Sequence, residues 1–217
     1  MIFSNWHSYK GVLLLSKANC KEVMEIKTRE MYFRTDFQTR QENDTKYIEG
    51  YFIRFNEETE LWDGVFEEVA PEAVEDSLKK NDIRCLFNHD TSIVLGRTGN
   101  GTLELKKDSK GIFGRVKINP NDKQALDIYA RIERGDINAC SFGFNIINEE
   151  IQNRDDGTVK FILKKIDLHE VSPVTFPAYP TTSVQAREKD LEEYKQRQIE
   201  ARKNKLKERL ERCLSNS

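Results

Sequence analysis

Tyr47-Ile48-Glu49-Gly50-Tyr51-Phe52-Ile53-Arg54-Phe55 is the first stretch of the chain with a firm structural period. Tyr47, Glu49, Tyr51, Ile53 and Phe55 alternate with Ile48, Gly50, Phe52 and Arg54, which is a strand with large residues on both faces. Asn56-Glu57-Glu58 supplies a turn, and residues 61–69 resume strand character through Trp62, Val65, Phe66 and Val69. Short strand-like segments recur at 83–87, 93–97, 102–107, 111–118, 139–147 and 159–171. Between them stand turn sequences such as Gly99-Asn100-Gly101, Asp108-Ser109-Lys110-Gly111 and Asp155-Asp156-Gly157. This pattern predicts a mainly β, α+β domain over residues 47–184, a compact antiparallel barrel or sandwich with a few helices.

Working outward, two helices interrupt the strands. Pro71 suits a helix's first turn, and Glu72 and Glu75 sit near the positive end of a short helix running to Leu78 and Lys79. In residues 122–134, Ala125, Ile128, Tyr129 and Ile132 fall on one helical side; Asn121 or Asp122 caps the start and Gly135 ends it. Pro173, Pro177 and Pro180 close the domain. Residues 187–214 have no Gly or Pro and are dense in Lys, Arg, Glu and Gln, so the tail, 185–217, reads as one long charged helix. Leu206, Leu210 and Leu214 make a thin stripe on it. A solvated helix and a coiled-coil tether both fit, because Leu191, Tyr194, Ile199 and Leu206 keep no clean heptad. Upstream, residues 24–46 are polar and read as a loose lead-in. Residues 1–23 read as a dispensable leader, since the apolar run at 12–15 falls short of a signal-peptide core of ~7–15 residues.

The chain has 217 residues, enough for one domain plus appendages, with 33% charged and 37% apolar side chains. A formal net charge of −2 gives no long-range pull toward nucleic acid or an anionic membrane, and neither is expected as a partner. Cys20, Cys85, Cys140 and Cys213 are too scattered for a zinc site or a disulfide framework, and three histidines in all speak against a multi-His metal site. Free thiols and no cofactor are expected.

Acyl transfer needs a nucleophile, a base within hydrogen-bond reach and a group that orients the base. His7 lies in the leader, which leaves His89 and His169 as bases. His89 sits where an apolar strand breaks into the polar Asn88-His89-Asp90, although alone such a histidine is more commonly just solvent-facing. Ser141 lies in Asn138-Ala139-Cys140-Ser141-Phe142-Gly143-Phe144, where Gly143 permits close approach of another group. Ala139 stands where a Gly-x-Ser-x-Gly elbow needs its first glycine, which disfavours an α/β-hydrolase. In Ile166-Asp167-Leu168-His169-Glu170-Val171, simple alternation puts Ile166, Leu168 and Glu170 on one face and Asp167, His169 and Val171 on the other. Glu170 is then partly buried and needs a positive or donating partner: a catalytic imidazole, or an Arg or Lys in a plain salt bridge.

Taken in order, these blocks resemble one family. Glu68-Val69-Ala70-Pro71-Glu72-Ala73-Val74, Phe87-Asn88-His89-Asp90 with Leu95-Gly96-Arg97, Ser141-Phe142-Gly143-Phe144, and Leu168-x-Glu170-Val171-Ser172-x-Val174-x-x-Pro177-Ala178-x-Pro180 resemble the prohead serine proteases of tailed bacteriophages. The resemblance implies a β-barrel like that of the herpesvirus assemblins, with flanking helices. It implies His89 as general base, Ser141 as nucleophile and Glu170 as the orienting acid, with neighbouring His169, and less so Asp167, as rivals. It further implies a serine endopeptidase that processes the scaffold and major capsid proteins, and itself, inside the procapsid in the host bacterial cytoplasm, with self-association also expected. Backbone N–H groups near Leu95-Gly96-Arg97 are candidate oxyanion donors, while Arg97 equally suits a structural carboxylate. Two competing readings stand beside this one: a non-catalytic capsid-assembly or scaffold-binding module, and a cysteine hydrolase using Cys140. Alternation disfavours the latter, because Cys140 and Ser141 point to opposite faces and only one of them can meet His89.

Overall fold

A strand with bulk on both faces needs cover on both: for Tyr47–Phe55 a facing sheet covers one, and on the other Tyr47 and Tyr51 pack on Arg115 and Phe113 of the neighbouring strand. The computed structural model describes residues 28–176 and 181–215. In chain order its strands are Thr28–Arg34 (β1), Gln38–Glu42 (β2), Thr45–Arg54 (β3), Thr59–Trp62 (β4), Val65–Val69 (β5), Arg84–Phe87 (β6), Asp90–Arg97 (β7), Leu103–Lys107 (β8), Gly111–Lys117 (β9), Ala139–Asn153 (β10) and Val159–Val174 (β11). Its helices are Glu75–Lys80 (α1), Lys123–Arg134 (α2) and Thr181–Ser215 (α3).

One sheet runs β1-β10-β11-β5-β4, with β6 also on β11 and β7 on β6; the other runs β2-β3-β9-β8. The core lies between them. Cys140, Phe142 and Phe144 line the inner face of β10, the two rings stacked at 5.2 Å, and the Cys140 sulfur lies 3.6 Å from the carbonyl oxygen of Phe52 on β3. α2 keeps the expected shape. The Asp122 carboxylate accepts the N–H of Ala125, Gly135 caps the end at φ 88°, and Ala125, Ile128, Tyr129 and Ile132 are buried.

The strand β11 organises the larger sheet. Antiparallel β10 covers one side of it along nearly its whole length, while the other side pairs in parallel first with β5, at 159–163, and then with β6, at 170–171. The gap between those partners is filled by α1 and its approach. Ala73 O accepts the N–H of Ile166. The buried Ser77 hydroxyl donates to Ile166 O at 2.9 Å and accepts from Leu168 N at 3.0 Å, and Asn81 Nδ2 donates to Leu168 O at 2.8 Å. Backbone groups that a missing neighbour strand would leave bare are thereby paired.

Several expectations change. The strands form two sheets rather than one closed antiparallel barrel, and the β11–β5 and β11–β6 ladders are parallel. Residues 28–46, read as a loose lead-in, hold β1 and β2. Their sequences, Thr-Arg-Glu-Met-Tyr-Phe-Arg and Gln-Thr-Arg-Gln-Glu, are polar in the way edge strands often are. Residues 61–69 split into the β4–β5 hairpin at Gly64, φ 74°. The expected leader (1–23), Pro177 and Pro180 lie outside the described residues.

The long helix α3 begins at Thr181 and is only partly solvated. Leu191, 9% exposed, packs with Val65, Val159 and Phe161, and Asn153 Nδ2 donates to the Tyr194 hydroxyl at 3.0 Å. Further along, Ile199 and Leu206 are exposed. Leu191→Ala is expected to cost about 2 kcal/mol in urea unfolding, since it empties a packed site. Leu206→Ala should stay within about 0.5 kcal/mol of the parent.

Candidate active site

His89 owes its position to a two-residue hairpin. Phe87 pairs with Asp90, which leaves Asn88 and His89 as the turn between β6 and β7, at φ 51° and 59°. A type I′ turn needs both central residues in the left-handed region, where Asn and His are tolerated better than most side chains. Holding non-glycine residues there costs roughly 1–3 kcal/mol each, so the surroundings must fix the turn. They do so through Asn88. Its N–H donates to Pro173 O at 3.1 Å, its Oδ1 accepts from Thr175 N at 2.8 Å, and its Nδ2 donates to Thr175 Oγ1 at 3.3 Å. The hairpin tip is thus fastened to the end of β11.

The floor of the site is the outer face of β1, β10 and β11. Directly opposed residues of an antiparallel ladder project to the same face. The registers give two such rows: Glu30–Gly143–Glu170 and Tyr32–Ser141–Ser172. Rows two residues apart along a strand are about 7 Å from each other. The ladder slips between Gly143 and Phe144, where β11 carries one extra residue, His169. This bulge corrects the simple alternation expected from sequence. Leu168 pairs with Phe144 and faces the core, whereas Glu170 pairs with Gly143 and shares the outer face with Ser141 and with Asp167, the partner of Asn145.

The imidazole of His89 lies across the first row. Its Nδ1 is 2.7 Å from Glu170 Oε1, and its Nε2 is 3.6 Å from Glu30 Oε2. The ring thus has a carboxylate from each strand that flanks β10, and the Glu170 carboxylate itself lies over Gly143, where an added Cβ would stand 2.5 Å from Oε1 and displace it. The second carboxylate oxygen, Oε2, accepts from the Ser172 hydroxyl at 2.5 Å, and Ser172 is fully buried. An ionised carboxylate only accepts, so Nδ1 carries the proton in this bond and the neutral ring keeps its lone pair on Nε2.

Burial of the ring works against its charged form. The Glu170 hydrogen bond and charge, together with the Glu30 charge, outweigh it and raise the His89 pKa above 6.5.

Ser141 is 4% exposed, and among the described residues no hydrogen bond joins it to His89. The structure therefore brings His89 and Glu170 into contact and sets Ser141 beside them, diagonally across from Glu170 on the neighbouring strand. The rivals are engaged elsewhere: His169 Nε2 is 2.7 Å from Asn145 Nδ2, and Asp167 accepts from Asn81 at 2.7 Å. Cys140 faces the core, where burial first, and then the nearby Cys85 and Glu170, push its thiol pKa up. Leu95, Gly96 and Arg97 lie within β7 rather than on a free turn, and Arg97 grips the Asp82 carboxylate. Sequence reasoning missed Glu30, Ser172 and the clamp made by Asn88. Among the described residues no cluster of His, Cys, Asp and Glu suits a metal ion.

A raised folded pKa stabilises the fold fully below the unfolded value of 6.5, and the contribution disappears as pH climbs through the folded value. Glu170→Gln keeps the shape and removes the charge. It is expected to lower the urea midpoint most below pH 6.5 and progressively less above the folded titration. An equal deficit across that range would mean lost packing rather than lost charge pairing.

Residues 34–197 match the family model described as the caudovirus prohead serine protease. The prohead protease of Enterobacteria phage HK97 is 27% identical over 141 residues, which make up 64% of this chain and 59% of that protein. The match thus spans less than two thirds of that relative. Among solved structures, the capsid assembly protease of bacteriophage T4, gp21, aligns with a TM-score of 0.47 and 13% identity, over 70% of this chain and 99% of that one. The region matched by the family model takes in His89, Ser141 and Glu170 and covers most of the sequence, and the chain belongs to the caudovirus prohead serine protease family.

Proposed function

We propose that the chain is a serine endopeptidase of procapsid maturation, acting on scaffold protein, major capsid protein and itself inside the assembled shell, in the host cytoplasm. The observation that carries this reading is the 2.7 Å contact of His89 Nδ1 with Glu170, on the same sheet face as Ser141. In the reaction, Glu170 keeps the proton on Nδ1 and so presents Nε2 as the base. A turn of the imidazole carries Nε2 along β10 to Ser141 while Nδ1 stays with Glu170. Nε2 then takes the Oγ proton as Oγ bonds to the scissile carbonyl carbon. Collapse of the tetrahedral intermediate breaks the C–N bond, and the proton passes from Nε2 to the leaving amine. Water, deprotonated by the same nitrogen, hydrolyses the ester and restores Ser141.

A second reading, a non-catalytic capsid-assembly or scaffold-binding module, draws on the burial of Ser141 and its lack of a hydrogen bond to His89 among the described residues. Co-expression with the cognate capsid and scaffold proteins separates the two. Wild type is expected to trim them, with cleavage falling at least about 10³-fold in Ser141→Ala and in His89→Ala. Cys140→Ala should remain within a few-fold of wild type. Equal trimming by wild type and Ser141→Ala would remove Ser141 as nucleophile, and intact capsid protein in fully assembled shells would favour the binding module.

A further inference from the structure

The reacting nitrogen of His89 already has a neighbour, and it is not Ser141. Glu30 on β1 stands at the outer end of the row Glu30–Gly143–Glu170, with its Oε2 3.6 Å from Nε2. Adjacent strands are about 4.8 Å apart, so the two carboxylates are separated by the width of β10. The imidazole bridges that gap with one nitrogen toward each carboxylate. Glu30 lies before residue 34, where the match to the family model begins.

Around the ring, β11 contributes Glu170, and Ser172 through it; β1 contributes Glu30 and, one row on, Tyr32; β10 contributes Gly143 and Ser141, with Asn145 beyond them on the same face. From β6, Cys85 points into the core, while Arg84, opposite Glu170 in the ladder, is engaged with Asp82. Among the described residues no Lys or Arg forms an ion pair with Glu30 or Glu170. The imidazole is the cation that stands between the two carboxylates, and the imidazolium is the form in which both of its nitrogens donate.

We propose that Glu30 is a positioning residue for His89. In the resting chain it pairs with Nε2, holds the ring protonated and turned from Ser141, and thereby sets the pH above which the base becomes free. The consequence for the reaction is directional. A protonated Nε2 cannot accept the Ser141 proton, so Glu30 suppresses reaction on the acid side. It has little effect once the ring is neutral. The raised His89 pKa agrees with this arrangement.

This inference rests on the protease reading only for its kinetic consequence, and the test keeps the two apart. The imidazole titration is followed by NMR in the full chain carrying Ser141→Ala, with the His89 resonances identified by their loss in His89→Asn. Glu30→Gln is expected to move the titration to lower pH, and Glu30→Asp, which keeps the charge on a shorter arm, to restore part of the shift. In the chain with Ser141 intact, Glu30→Gln should speed fluorophosphonate labelling of Ser141 by up to about tenfold below the parent's titration midpoint, and by much less above it. An unmoved His89 titration in Glu30→Gln overturns the proposal, as does labelling that slows equally at every pH. A titration that moves while Ser141 never labels, even in assembled shells, keeps the Glu30 contact and counts against the protease reading instead.

Discussion

One extra residue in β11 decides which side of the sheet Glu170 occupies. With an unbroken ladder, Glu170 would follow Ile166 and Leu168 into the core, since side chains two apart share a face. The bulge at His169 lets Leu168 stay opposite Phe144 in the core while Glu170 comes up opposite Gly143 on the outer face. A one-residue slip exchanges the faces of everything beyond it, so the site depends on keeping that slip in place. On the side away from β10, the stretch leading into the bulge has no strand beside it. Instead Ala73, Ser77 and Asn81 hold its backbone by hydrogen bonds to Ile166 and Leu168. A short helix that touches neither His89 nor Glu170 thus holds the register on which their contact depends.

The arrangement has a cost that is met locally. Glu170 keeps only 13% of its side chain exposed, and burying a carboxylate is tolerable when its oxygens are hydrogen-bonded. Here one oxygen meets His89 and the other Ser172. The strained Asn88–His89 turn is offset in the same way, by three hydrogen bonds from Asn88 to the end of β11. Both compensations converge on the same few residues of one strand. Pro173 and Thr175, which hold the Asn88–His89 turn, lie within three residues of Ser172, which holds Glu170, so one short stretch of chain fastens both partners of the His89–Glu170 contact.

Local signals were legible in the sequence where a short window contains all the physics. The helix α2 has its apolar stripe, its Asp122 cap and its Gly135 stop within fifteen residues, and it formed where they predict. The turn sequences placed most strands, and the resemblance to the phage proteases, read from ordered blocks, picked out His89, Ser141 and Glu170. What escaped was set by partners distant in sequence. β2 is polar throughout and β1 offers only Met31 and Phe33 to the core; they are strands because β3 and β10 lie beside them. Glu30 lies over a hundred positions from Gly143, and nothing near it marks it out. Alternation failed for Glu170 because a bulge leaves no trace in residue type. The partial docking of α3 was invisible for a similar reason: Leu191 is a lone leucine in a charged run, buried because Val65 of β5 and Val159 and Phe161 of β11 together present an apolar patch to it.

The same parity that the bulge upsets in β11 stays intact in β10, and there it separates two nucleophile types that are neighbours in sequence. Cys140 and Ser141 differ by one position and so by one face. The sulfur lies between the sheets against Phe52, without contact to the imidazole, in surroundings that oppose formation of the thiolate. The hydroxyl lies on the face that carries Glu170 and supports His89. A serine needs what that face offers, an oriented base, because its own acidity is too weak for attack without one. A thiol needs a positive, polar neighbourhood, which the core denies to Cys140. The intrinsically stronger nucleophile is thus placed where it can only pack, and the weaker one on the face of His89 and Glu170. The pairing of β10 with β1 and β11, rather than the reactivity of the side chains, sets that difference.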